Sequence, residues 1–255
     1  MTLPEATAKP EVSATPVEMD RSWIEDYPDE TLDAMLKAGR EVLEWRRIMQ
    51  KSGDNVVGIV LKHEGQFFIL DHYPKGDVYD PESHAQWYYH AHDKSERPGE
   101  HGHFHTFLRG KGMDEGVNPV QLPDYEPKED PHDLVSHLVA ISMDKTGWPI
   151  GLFTTNRWVT GETWYAAHDV CSMLESFDMQ MDKPTWTVNR WLTNMLRLFQ
   201  PQIVDLLMQR DEAILQWKLK HQDRNVYEDR ELEVTSQLPI SVEGQVELLS
   251  QRLKA

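Results

Sequence analysis

Five histidines stand at alternate positions in two short runs, and this pattern restricts the chain more than any other feature of its sequence. The segment YYHAHDKSERPGEHGHFHTF, residues 88–107, carries two histidines before a polar stretch and three after it. Successive side chains of a β-strand point to opposite faces, so each run would place its histidines on a single face. Buried imidazoles need hydrogen-bond partners and repel one another when protonated, so this face requires a specific partner.

The two runs have matching phases if they form neighbouring antiparallel strands. A register that sets His92 opposite His101 also sets His90 opposite His103, with cross-strand β-carbons about 5 Å apart. At that separation imidazoles from both strands can converge on one ion. The same alternation predicts an apolar face that packs on helices, formed by Trp87, Tyr89, Phe104 and Leu108.

Metal coordination is the chemistry that suits such a set of imidazoles. Neutral imidazole is a ligand for zinc, iron and copper, whereas the single cysteine of the chain excludes a zinc motif built on several thiolates. We expect one transition-metal ion, zinc or iron, with copper as an alternative. At least three ligands would come from His90, His92, His101, His103 and His105. The remaining histidines would orient a ligand or contact a substrate.

Three further side chains are candidates for catalytic roles near this ion. Tyr88 could supply a phenol donor, although aromatic strand residues commonly serve packing. Glu100, like Glu96, could add a carboxylate. Arg157 follows a predicted strand and could hold an anionic substrate, with a structural ion pair as the alternative. The sequence leaves open whether the site also includes His84, His137 or His168.

Hydrophobic periodicity predicts an α+β fold. We expect an antiparallel sheet or partly closed β-barrel of about six strands from residues 56 to 158, covered by helices from both ends of the chain. A first helix is predicted from Pro28 to about Lys51, further helices follow Thr160, and LEVTSQLPISV is an ambiguous β-like piece. The strands are predicted in three hairpins, at residues 56–62 with 66–72, 86–92 with 101–108, and 134–144 with 149–159.

The domain organisation follows from the same pass along the chain. Residues 1–19 are rich in Pro, Ala, Thr and Glu, which predicts a disordered tail. Residues 20–255 are predicted to form a single metal-binding α+β domain. Pro201 should break or kink the helical run around it, because its ring clashes with the preceding turn.

The charge of the chain bears on its partners. The net charge is −17, and no cluster of Lys and Arg is available to neutralise phosphates. We therefore expect no nucleic-acid or membrane partner, while a small-molecule substrate is compatible with the charge and the oligomeric state stays open. The N-terminal residues lack the pattern of a signal peptide, and we expect a cytoplasmic protein.

The histidine segment also carries two resemblances. His90-x-His92 followed by Glu96 resembles the first cupin motif, in which two histidines and a glutamate bind a metal inside a small β-barrel. The second cupin motif would supply another histidine, but PIGLFTTN has Thr154 at that position. His101, His103 or His105 would have to replace it. More broadly, the YYHAH and EHGHFH core with a long helical C-terminal part resembles an uncharacterised bacterial protein family.

These observations predict a metal-dependent protein with a histidine-rich site on two adjacent strands. A cytoplasmic metalloenzyme, oxidoreductase or hydrolytic, is the first interpretation. The alternatives are a protein that stores, senses or delivers an ion, and a domain held together by a structural metal. An open coordination position would favour catalysis, whereas four protein ligands that close the shell would favour a structural role.

Overall fold

An antiparallel sheet of six strands forms the centre of the computed structural model, which describes residues 22–93 and 95–254. The order of the strands in the sheet follows their order in the chain, so each strand pairs with the one before it. The strands are β1 (Tyr73–Tyr79), β2 (Ala85–His90), β3 (Gly102–Arg109), β4 (Val135–Met143), β5 (Pro149–Thr155) and β6 (Val234–Pro239). The α+β prediction is confirmed, and the sheet is open, with β1 and β6 as its edges. The tail predicted at residues 1–19 lies outside the described residues.

Seven α-helices accompany the sheet in the described part of the chain. They are α1 (Asp29–Lys51), α2 (Val56–Leu61), α3 (Arg157–Thr160), α4 (Ala167–Met173), α5 (Trp186–Leu198), α6 (Gln200–Lys220) and α7 (Val242–Arg252). Helix α1 packs on α5 and α7, so the N-terminal and C-terminal helices meet in one layer. The predicted break at Pro201 is present: α5 ends at Leu198, and Pro201 lies in the first turn of α6.

The helices cover the apolar face of the strand pair β2 and β3. Its side chains are completely buried in the main hydrophobic core, as the sequence predicts: Trp87, Tyr89, Phe104 and Leu108. The rings of Phe104 and Trp191, the latter on α5, are 5.8 Å apart. Because side chains alternate along a strand, the opposite face of the same two strands carries the histidines.

The first predicted hairpin is wrong, because residues 56–61 form helix α2 instead of a strand. Asn55 caps this helix through its side-chain oxygen, which accepts a hydrogen bond from the Gly58 N–H at 2.9 Å. Val56, Val57 and Val60 then face the core at helical spacing. The β-branched residues suggested a strand, but the cap and the packing against α5 and β1 decide the structure.

Residues 66–72, the second half of that predicted hairpin, lie outside the sheet, and the first strand begins at Tyr73. Phe67, Phe68, Ile69 and Leu70 are exposed, and Leu70 has a left-handed φ of 67°. The sheet keeps six strands because the ambiguous C-terminal piece forms β6, which pairs with β5. The strands therefore span residues 73–239 rather than 56–158.

Strand β1 is an irregular edge. Its pairing with β2 is interrupted between Tyr73 and Val78. Pro74 has no N–H to donate, and both Gly76 (φ 86°) and Asp77 (φ 57°) adopt left-handed backbone conformations. Glycine takes such a conformation without strain, and aspartate is one of the side chains that tolerate it. This break turns the Asp77 carboxylate toward Gln86 of β2, which donates a hydrogen bond to it at 2.8 Å.

Asn189 of α5 joins the helix layer to the sheet, and its removal provides a test of the fold. Its Oδ1 accepts from Trp87 Nε1 at 2.9 Å, and its Nδ2 donates to the carbonyls of Met181 and Lys183. We expect Asn189→Ala to lower the free energy of unfolding by about 3 kcal/mol, because it leaves buried polar groups unsatisfied. Denaturant unfolding measures this change. Asn118→Ala, at an exposed asparagine, should change stability by less than about 0.5 kcal/mol, and equal effects of both variants would contradict the packing described.

Candidate metal centre

Histidines from β2 and β3 meet on the face of the sheet opposite the main core. His90 pairs with His103 in the β2–β3 ladder, and Tyr88 pairs with His105, so the predicted register is confirmed. The Nε2 atoms of His90 and His103 are 2.7 Å apart. Two ring nitrogens that face each other at this distance can share a proton. They can alternatively bind a common ion, because an imidazole nitrogen lies about 2.0–2.1 Å from a bound zinc ion.

Glu100 fixes the orientation of the His103 ring. Its Oε1 accepts a hydrogen bond from His103 Nδ1 at 2.6 Å. Burial raises the pKa of Glu100, but hydrogen bonds from His103 and Ser142 and the charge of Arg97 outweigh burial and hold this pKa below its usual range. A charged carboxylate at Nδ1 makes that nitrogen the donor and leaves the lone pair of Nε2 toward His90. Metal-binding histidines commonly have such a carboxylate partner.

His92 adds a third imidazole from the loop that follows β2. Its ring centre lies 4.9 Å from that of His90 and 5.3 Å from that of His103. Its Nδ1 is 3.1 Å from Glu96 Oε2, which repeats the arrangement of His103 and Glu100. His90, His92 and His103 each offer one ring nitrogen, and these atoms lie within 4.8 Å of one another, so the three residues could hold a metal ion.

His105 and His137 extend the cluster into the interior. His105 Nδ1 and His137 Nε2 are 2.9 Å apart, and the ring of His105 lies 4.8 Å from that of His103. His105 Nε2 is buried and has no hydrogen-bond partner among the described residues. A buried polar atom without a partner is uncommon and costs stability, so this nitrogen fits a site that receives an additional atom.

Burial keeps these imidazoles neutral. It is the largest cause that lowers the pKa of His90 to about 2, of His103 to about 4 and of His137 to about 3. Burial also lowers the pKa of His105 well below its usual value. At pH 7 each of these rings is therefore neutral and has one nitrogen with a lone pair, and neutral histidine is the form that binds a metal.

Glu162 is a second buried carboxylate next to the cluster. Its side chain accepts hydrogen bonds from the backbone N–H of His137 at 2.8 Å and from Thr160 Oγ1 at 3.2 Å. Burial raises the pKa of Glu162 to about 7 against the charge of Arg210 and these hydrogen bonds. The interior end of the cluster thus contains a carboxyl group that is partly protonated at neutral pH.

His101 departs from the face that strand alternation predicts for it. Its Nδ1 lies 2.7 Å from the hydroxyl oxygen of Tyr89, and its ring centre lies 5.9 Å from that of Phe67. Both residues are away from the other four histidines of the motif. The reason is local: β3 begins at Gly102, one residue after His101, so the strand period does not extend to His101. Gly102 also lies close to Tyr89, and a β-carbon at this position would be 2.5 Å from the Tyr89 hydroxyl.

The three predicted catalytic side chains have different surroundings. Tyr88 lies on the histidine face, where its ring centre is 5.0 Å from that of His105, and burial raises its pKa. Glu100 orients His103. Arg157 forms ion pairs with Asp124 and Glu228, which matches the structural alternative for this residue. The structure thus brings Tyr88 and Glu100 to the cluster, while Arg157 is engaged by two carboxylates.

Two histidines of this cluster were not identified as such from the sequence. The sequence leaves His137 open because an isolated histidine in an apolar strand has no partner visible in the sequence. It places His72 only at the end of the predicted strand 66–72, whereas in the structure the ring of His72 stacks on Tyr88 with ring centres 3.6 Å apart. Its partner Asp77 is five residues away in an irregular strand, so no regular spacing connects the two.

The enclosure of the cluster is asymmetric. Phe153 of β5 packs against His103, and the Arg97 guanidinium lies 4.3 Å from the centre of the Phe153 ring. His103, His105 and His137 are therefore buried on the interior side. On the other side the ring of His72 is 43% exposed. The cluster is therefore nearest to solvent at His72 and at His92, whose side chain is 15% exposed.

The fold and this site define an α+β protein with a buried histidine cluster that could bind a metal ion. The chain belongs to the family described as "Domain of unknown function (DUF6969)", which matches residues 36–240. The prediction of an uncharacterised family is confirmed. No curated protein and no solved structure matches the chain significantly. Among the described residues, the helices are too short or too polar for any of them to cross a bilayer.

The lowered pKa values predict that the metal-free protein loses stability as the pH falls. Below pH 6.5 the four buried imidazoles gain protons on unfolding, so the free energy of unfolding decreases from that pH toward their folded pKa values. The pKa of Glu162 is about 7 in the folded protein against 4.5 in the unfolded chain, so Glu162 releases a proton on unfolding. This release offsets the uptake by one of the four imidazoles. A net uptake of three protons on unfolding corresponds to a decrease in the free energy of unfolding of about 4 kcal/mol per pH unit.

Denaturant unfolding of the metal-free protein at about pH 6 and about pH 5, where unfolded histidines are mostly protonated, measures this slope. His90→Gln should reduce it by about one proton. His168→Gln should leave it unchanged, because the His168 side chain is 78% exposed. Stability that stays constant between these two pH values would contradict the neutral, buried state of the cluster.

Proposed function

We propose that the protein is a metal-dependent enzyme, an oxidoreductase or a hydrolase, that binds one transition-metal ion through His90, His92 and His103. The observation that carries this proposal is the convergence of three neutral imidazoles whose ring nitrogens lie within 4.8 Å. Zinc and iron suit these ligands best, with copper as the alternative. The ion would supply Lewis acidity, an activated water or redox chemistry.

The carboxylate partners support a metal rather than a simple hydrogen-bond network. Glu100 and Glu96 each face the Nδ1 atom of a proposed ligand, His103 and His92. A carboxylate at Nδ1 fixes the ring, selects the tautomer and makes Nε2 a better donor to a metal. A network that served packing alone would have no need to direct several Nε2 lone pairs toward one region.

The energetics of burial point in the same direction. Several neutral imidazoles in the interior make the metal-free fold sensitive to pH, and the unpartnered His105 Nε2 adds a cost of its own. Apolar side chains would stabilise this face better. Binding of an ion to the folded state offsets these costs, because a ligand that binds only the native state stabilises it.

The number of ligands favours catalysis over a structural metal. Structural zinc sites commonly have four protein ligands, whereas catalytic sites have three and keep a position for water or substrate. The proposed set has three, and Tyr88 and His105 line the same face, where they could contact a bound molecule. The alternative is a non-catalytic protein that stores, senses or delivers the ion. The surplus of histidines around the three ligands favours it.

Metal content tests the first part of this proposal. We expect protein purified without a histidine tag to bind about one equivalent of zinc or iron per chain after metal supplementation. His103→Ala should abolish binding, because it removes a ligand held by Glu100. Glu100→Gln should weaken binding about tenfold, because it removes the charge at Nδ1. Elemental analysis and competition with a chelator measure both effects.

The control is His168→Ala, which removes an exposed histidine that pairs with Asp169 far from the two strands in sequence. It should leave metal content unchanged. Wild-type protein with less than about 0.2 equivalents of any transition metal would contradict the proposal.

Cobalt substitution separates an enzyme from the alternative. Azide added to the cobalt protein should change its visible spectrum if a coordination position is open. A spectrum that does not respond, together with four protein ligands, would favour a closed site and remove the enzymatic interpretation.

A further inference from the structure

We propose that His72 is a capture site that binds an incoming hydrated divalent cation and transfers it to the ligands His90, His92 and His103. The inference rests on the metal site of the proposed function but assigns a role to a residue outside that ligand set. It applies to first-row transition-metal cations, because the side chain offers an imidazole next to a carboxylate.

His72 lies at the boundary between solvent and the cluster. Its side chain is 43% exposed, whereas His90 is 8% and His103 1% exposed. The ring centres of His72 and His90 are 5.8 Å apart, and the rings meet edge to face. A cation that reaches His90 from the side of His72 therefore passes the His72 ring.

The orientation of His72 is fixed by two contacts. Its Nδ1 lies 3.0 Å from Asp77 Oδ1, and in the neutral tautomer that donates Nδ1–H to this carboxylate Nε2 carries the lone pair. The ring also stacks on Tyr88 with an angle of 8° between the planes. His103 with Glu100 has the same pairing of Nδ1 with a carboxylate, the arrangement in which histidine binds metals.

Asp77 is itself held in place from the far side. Its Oδ2 accepts a hydrogen bond from Gln86 Nε2 at 2.8 Å, and Gln86 Oε1 accepts from Arg109 Nε at 2.7 Å. The left-handed backbone of Asp77 places the carboxylate between His72 and Gln86. The His72–Asp77 pair is thus held by further hydrogen bonds, unlike an isolated surface histidine. The negative charge of the Asp77 carboxylate attracts a cation.

His72 does not belong to the group that would retain the ion. The three residues whose nitrogens lie within 4.8 Å of one another are His90, His92 and His103. A transient ligand next to a buried site has a clear physical use, because a hydrated cation can exchange its waters for imidazoles one at a time. The ion then avoids complete dehydration before it reaches His90.

The rates of metal loading test the role of His72. A residue that binds the ion only in transit accelerates loading and release by the same factor and leaves Kd unchanged. His72→Phe keeps an aromatic ring on Tyr88 but removes the nitrogen. We expect this variant to load and release Co²⁺ about tenfold more slowly than the wild type, with the same stoichiometry.

The measurement is stopped-flow absorbance of the metal-free full-length protein mixed with Co²⁺, followed by release to a chelator. His168→Phe is the matched control, because His168 also pairs with an aspartate, Asp169 Oδ1 at 3.2 Å, but is 78% exposed. It should match the wild type. His72→Ala should load as slowly as His72→Phe, which would show that the nitrogen and not the stacking matters.

Three outcomes would overturn the inference. Loading of His72→Phe at the wild-type rate would remove the capture role. A Kd weakened about tenfold or more with unchanged loading would make His72 a permanent ligand or an orienting residue. Slow loading of His72→Ala alone would assign the effect to stacking. In each case wild-type protein still binds cobalt, whereas failure of the wild type to bind any metal would contradict the proposed function itself.

Discussion

The contact between His90 and His103 across β2 and β3 is the interaction on which the functional face depends. It lies in a ladder whose other face is the completely buried side of the core, with Trp87 and Phe104 among the largest side chains there. The helices thus fix the strands from one side, and the strands fix the imidazoles on the other. A metal site on such a pair requires little reorganisation when an ion binds, because the backbone positions of its ligands are already set.

The same arrangement links metal binding to folding. The buried imidazoles are neutral at neutral pH, each with one N–H and one lone pair, so in the metal-free state they cost stability as the pH falls. They could bind a metal without first losing the second proton of an imidazolium. An ion that binds only the folded protein raises its stability in proportion to RT ln(1 + [L]/Kd). The family of unknown function to which the chain belongs can therefore be studied through stability measurements before any substrate is identified.

The sequence predicts the β2–β3 pair well because two independent signals agree there. Alternating histidines define one face, alternating aromatic and aliphatic residues define the other, and a slip of one residue in the register would violate both. At Val56 to Leu61 there is a single signal, β-branched composition, which predicts a strand. The cap at Asn55 and packing against distant elements make this segment a helix instead. Strand β6 was ambiguous for the same reason, since its partner β5 lies about 80 residues earlier.

In the candidate site, too, the residues in or beside regular strands are the ones that the sequence predicts. His90, His92, His103 and His105 lie within or directly beside regular strands, and their common face could be predicted. His101 stands one residue before β3, outside the regular strand, and its side chain contacts the Tyr89 hydroxyl on the other face. His72 and its carboxylate depend on the left-handed residues of β1, and no periodic pattern encodes such a turn.

The irregularity of β1 also affects how the molecule meets copies of itself. An edge strand presents unpaired backbone groups that can template another chain, and here it directly follows the exposed run Phe67 to Leu70. Pro74 removes one donor, Lys75 adds a charge, and the left-handed pair Gly76 and Asp77 bends the strand away from a flat edge. The turn that places a carboxylate beside His72 therefore also gives the sheet an irregular edge, and a bent edge pairs less readily with a neighbouring strand than a flat one.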